Sequence, residues 1–166
     1  MSTVVKLDGF QSFKERRQRF VDMFASEAIA KGDLVALDLS ATEPTNGYGN
    51  HIKKAGTTDD LTKHGVGIAL EAIGNGEKGT IQVAGYCDFA KCSNLAATYD
   101  GGGDALNDAD EGILLTVSAE DGHLRDYDTS AAEDSGGDSL PVAILIEYGT
   151  ADTADSIVYL LNPANL

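Results

Sequence analysis

Basic charge is the scarcest commodity in this sequence: twelve Lys and Arg stand against twenty-seven Asp and Glu, a formal net charge of −15. A field of that sign repels nucleic acid and anionic membrane, so neither is expected as a partner. Cysteine is nearly absent, with only Cys87 and Cys92. Two thiols with four residues between them cannot supply the four ligands of a structural zinc site or the framework of a disulfide-rich fold. They are read as free thiols, with a local disulfide as the alternative. Tryptophan is missing and the six tyrosines are scattered, which leaves little for a glycan-stacking platform. The longest fully apolar run, Leu140 to Ile146, is far too short to cross a bilayer as a helix, and the opening MSTVVKLDGF has no long apolar signal core. Synthesis and folding in a cytoplasm are therefore expected.

Catalytic patterns are missing as well. His51, His64 and His123 form no H-x-x-x-H or H-E-x-x-H pair, and there is no nucleotide-binding glycine loop or nucleophile elbow. Ser118, Glu120, Asp121 and His123 offer hydroxyl, acid and imidazole, but at a tight hairpin where side chains splay apart. Asp104, Asp108, Asp110 and Glu111 could suggest calcium, yet they lack the EF-hand register and read as a solvated acidic loop. No enzyme activity, cofactor or metal is expected.

What is present divides into two textures. Residues 1–31 carry six bases and four acids, and four of the five phenylalanines lie between positions 10 and 24. The segment 10–30 has good helix formers and no Pro or Gly, with Ser12 and Glu15 in capping-box positions. At helical spacing Phe13, Phe20 and Phe24 share one stripe. An N-terminal helical arm over residues 1–30 is expected, either covering its own β core or inserting into a partner. In the second case Phe10, Phe13, Phe20 and Phe24 would enter an apolar groove on a partner subunit or a neighbouring copy, while Arg16, Arg17 and Arg19 pair with acidic groups around it.

Residues 31–166 form the second texture: short apolar or alternating runs punctuated by Gly, Asp and Asn, the pattern of a mainly β barrel or sandwich. Strands are expected at 34–39, 51–54, 65–72, 79–87, 112–117, 123–127, 141–148 and 156–161. Asn75-Gly76 and Glu120-Asp121-Gly122 supply turns. These runs repeat. KGDLVALDLS, HIKKA, HGVGIALEAI and GEKGTIQVAGY are echoed by EGILLTVSAEDG, HLRDY, LPVAILIEYG and DSIVYLLNP, with Gly32 matching Gly112, Val66 matching Val142 and Ile81 matching Ile157 at offsets of 80, 76 and 76 residues. Two similar four-strand units closing one core are expected.

Over most of residues 31–163 the chain resembles the capsid decoration, or cement, proteins of phage heads. The pieces that carry the resemblance are KGDLVAL, VGIALEAIGNGEKGTIQVAGYC, EGILLTVSAEDGHLRDY and SIVYLLNP. The N-terminal arm and the acidic insertion at Gly101–Asp110 depart from it. The resemblance implies a small β-barrel-like body, a homo-oligomer with a trimer favoured, the major capsid protein as partner, a place on the capsid exterior and a role in stabilising the head. It implies no cofactor and no catalytic residue. The alternatives are a tail-tube or head-completion subunit and, further off, a small β ligand-binding domain.

Overall fold

The computed structural model describes residues 18–39, 50–56, 64–93, 111–118, 120–127, 140–150 and 153–161. Nine strands lie among them: β1 (Arg19–Ala25), β2 (Leu34–Leu37), β3 (His51–Lys54), β4 (Gly65–Ala69), β5 (Lys78–Lys91), β6 (Leu114–Val117), β7 (Leu124–Asp126), β8 (Ala143–Glu147) and β9 (Ala154–Leu160). All eight strands expected after residue 31 are present, 51–54 with the expected bounds and the other seven with shifted ends. Gly76 and Gly122 take the positive φ that their turns require.

The first five strands close a barrel. β1 pairs in parallel with β3, β3 with β2, β2 with β4, β4 with β5, and β5 returns antiparallel to β1. β5 is fourteen residues long and serves both halves. Beyond Gly85 it pairs with β9, which leads on to β8, β6 and β7. The strand order, β1-β3-β2-β4-β5-β9-β8-β6-β7, therefore reads the same way in each half outward from the β5–β9 junction: fourth strand, third, first, second.

Individual hydrogen bonds repeat with the strands. The Gly32 N–H donates to the Ala69 carbonyl at 2.9 Å and Ala69 returns a bond to Asp33 at 3.0 Å; Gly112 donates to Leu145 at 2.8 Å and Leu145 to Ile113 at 3.0 Å. Both glycines are left-handed, at φ 86° and 91°. The offsets are 80 and 76, as at the sequence landmarks. The third landmark shifts by one residue. Ala69 faces Ile81 and Leu145 faces Val158, so the counterpart of buried Ile81 is buried Val158, while Ile157 lies on the opposite face. A slip of one residue reverses the side of a strand, and an alignment of Gly-bounded runs does not detect it.

The expected helix over residues 10–30 is contradicted wherever the structure describes it: 19–25 is strand. Arg19, Phe20 and Val21 are exposed, and from Asp22 exposure alternates, with Met23 and Ala25 buried, Asp22 exposed and Phe24 half-buried. Phe20 and Phe24 are four apart, a spacing that keeps two side chains on one side of a helix and of a strand alike. The helical stripe could not distinguish the two, and pairing with β3 and β5 decided it. Residues 19–29 are thus part of the first barrel and not a separate arm, since Met23, Ala25 and Ile29 share a core cluster with Val35, Ile52, Ala69, Ile73 and Ile81.

A second cluster joins the two halves. Leu34, Ala36, Ala55 and Ile68 point out of the first barrel and pack with Leu115, Val117, Leu124, Leu145 and Val158 of the second half. At this seam the Leu34 N–H donates to the Gly122 carbonyl at 2.7 Å, and Gly122 donates to Ala55 at 2.7 Å. The Asp33 carboxylate, 2% exposed, accepts from the Lys91 ammonium at 2.6 Å and from the Ala30 N–H at 2.8 Å. A charge so nearly buried is tolerable only with such partners.

Candidate functional site

The outer faces of the two halves are equivalent in register and opposite in fate. In the first half a cross-strand row runs Leu34, Ile68, Gln82, Phe20. The second half lies against it, so Leu34, Ile68 and Gln82 are essentially inaccessible and only Phe20, at the margin, remains 46% exposed. The polar member is satisfied on its nitrogen, because Gln82 Nε2 donates to the Ala84 and Tyr86 carbonyls at 3.2 and 2.7 Å.

In the second half the corresponding row is Leu114, Ile144, Tyr159, Tyr86. Here the row faces outward: Leu114 is 40% exposed and Ile144, Tyr159 and Tyr86 are half-buried. Ile146, 39% exposed, and Ile157 extend it on the same side of β8 and β9. Exposed carboxylates, Asp88 on β5 and Glu147 at the end of β8, stand at its margin. A shallow, mostly apolar cavity of about 120 Å³ adjoins this face, lined by His64, Val66, Leu140, Pro141, Val142 and Leu161. Val66 and Val142 are the matched residues of the two halves, so the cavity sits where the repeats meet. An outward sheet face with six apolar residues is unusual on a chain of charge −15, because exposed apolar surface of this kind generally marks contact with another molecule.

The sequence signal for this face was available. The uninterrupted run Leu140–Ile146 makes β8 apolar on both sides, whereas a strand facing water on one side alternates.

Of the residues expected to bind a partner, the structure describes Arg19, Phe20 and Phe24, all on β1. Phe10, Phe13, Arg16 and Arg17 lie outside the described residues. Arg19 and Phe20 are exposed at the start of β1, and Phe24 stacks on His51 at 5.6 Å with 27° between the rings. Between them Asp22 accepts from the Thr80 hydroxyl at 2.9 Å and pairs with Lys78 at 3.2 Å, which holds its carboxyl below the usual range. β1 therefore contributes to the barrel wall and brings Phe20 to the margin of the seam.

Nothing in the described chemistry assembles a reaction centre. Ser118 Oγ accepts from the Glu120 N–H at 3.1 Å and His123 Nδ1 lies 3.0 Å from the Asp121 carbonyl, both local turn contacts. Among the described residues no three His, Cys, Asp or Glu side chains group as metal ligands. Cys87 and Cys92 are free and buried, and burial pushes their thiols up to about 12 and about 11.

No protein-family model and no curated protein matches the sequence. Among solved structures, the fold is similar to that of the head fiber gp8.5 N base in bacteriophage phi29, with a TM-score of 0.51 and 12% sequence identity over 86% of this chain and 93% of that one.

Proposed function

We propose that this protein is a structural component of a phage virion that binds the outer surface of the head and stabilises it, as a decoration protein does, and that it is not an enzyme. The observation that carries the reading is the fold: the likeness to a phage head fiber base extends over nearly the whole of both chains. Two features agree with it: the chain is strongly acidic, as suits a body facing solvent, and it keeps one apolar face outward. The partner in this reading is the major capsid protein, and the protein acts as a homo-oligomer, with a trimer favoured, on the capsid lattice.

The same likeness supports a second reading, in which the two-unit body is the base of a fiber. Stoichiometry separates the two, because a decoration protein occupies the lattice at every equivalent position and a fiber base does so only where fibers stand. Purified protein titrated onto heads stripped of it and recovered by sedimentation should saturate at a fixed number of copies per capsomer. Failure to co-sediment with heads under any ionic condition would overturn both readings.

A further inference from the structure

We propose that the N-terminal segment, residues 1–17, docks in cis across the outer face of the second half, on Tyr86, Tyr159, Ile144 and Leu114. This inference goes beyond the virion reading and does not depend on it.

The entry point of the chain is the first reason. Residues 1–17 precede Gln18, whose Nε2 donates to the Tyr86 carbonyl at 2.7 Å, so the segment begins beside the first residue of the exposed row. Length is the second. From β5 across β9 and β8 to β6 there are three strand spacings, ~14 Å at ~4.8 Å each. Phe13 lies five residues before Gln18 and Phe10 eight, which at ~3.3 Å per residue gives reaches of ~17 and ~26 Å. Both phenylalanines can therefore reach any point of the row from a tether at its edge, and tethering favours this occupant over an untethered one.

Chemistry is the third reason. Residues 1–17 hold four bases, Lys6, Lys14, Arg16 and Arg17, against two acids, while the rest of the chain holds eight against twenty-five. The face is an apolar centre with Asp88 and Glu147 at its margin, and a segment with two phenylalanines among lysines and arginines complements both parts. The equivalent row of the first half is covered from within the chain by the second half, and this docking would cover the second row in the same way.

A nitroxide on Ser12→Cys tests it in the full-length protein, since Cys87 and Cys92 are buried and the phenylalanines are left in place. The expected result is loss of most amide intensity in β8 and β9, with the Leu70 to Thr80 region of the first barrel unaffected. That loss should persist when labelled molecules are diluted into diamagnetic ones, and it should vanish in the same background with Phe10→Ser and Phe13→Ser. No broadening on β8 and β9 would overturn the proposal. So would broadening lost on dilution, which would place the segment on a neighbouring copy, or broadening indifferent to the phenylalanines.

Discussion

Gly32 and Gly112 hold one backbone conformation at matching places in the two halves, but their surroundings differ. A Cβ on Gly32 would lie 2.5 Å from the Phe89 carbonyl oxygen and 2.6 Å from the Ala154 Cβ, whereas one on Gly112 meets nothing within 4 Å. Gly112→Ala should cost only the left-handed backbone term, about 1–2 kcal/mol. Gly32→Ala adds overpacking at the seam, about 1–3 kcal/mol more. Urea unfolding of the two variants checks this, and equal losses would mean that the seam is not packed as described. The thiols give a second residue-scale prediction. Because burial raises both, native Cys87 and Cys92 should resist a thiol reagent at pH 8 and react once the protein is unfolded. A thiol raised in the folded state contributes stability that is complete below its unfolded pKa, about 8.5, and is lost as pH rises through the folded value. Stability should therefore fall more steeply between pH 9 and 11 in the natural protein than in the Cys87→Ala, Cys92→Ala double variant. Rapid labelling of the native protein, or identical slopes, would contradict the burial.

At the scale of elements, β1 separates what belongs to the barrel from what precedes it. Deleting residues 2–17 removes no described strand and should leave a cooperative unfolding transition. Deleting residues 2–25 removes Met23 and Ala25 from the core and opens the barrel between β3 and β5, and should abolish that transition. Circular dichroism melts decide it, and a folded 26–166 chain would show that β1 is dispensable. This strand is also where the sequence was hardest to read. The strands after Lys31 were legible because glycine and alternation mark them, and the repeat because matched runs such as KGDLVAL and EGILLTV keep an offset. Phe20 and Phe24 fit two periodicities at once, and only the partners of β1, distant in sequence, chose between them. The outer face of the second half escaped notice for a related reason: an apolar run reveals that both sides of β8 are covered or contacted, but not which strands extend the face. That required the register linking Leu114, Ile144, Tyr159 and Tyr86.

The molecule as a whole is two copies of one strand order sharing a single long strand, with the first copy's outer face sealed by the second. That arrangement leaves the second copy's outer face, apolar in a chain of charge −15, uncovered by the other copy. The composition pointed to a solvent-facing β body, and the fold is similar to that of a phage head fiber base; the place of that body on a head is the proposal made above. The most direct test of that placement is a reconstruction of the virion carrying this protein, at a resolution that shows strands. Density for the two-unit body, with β5 running through both halves, should stand on the outer capsid surface at equivalent lattice positions. Heads whose outer surface lacks this body, with the protein recovered in the tail or absent from the particle, would contradict the account.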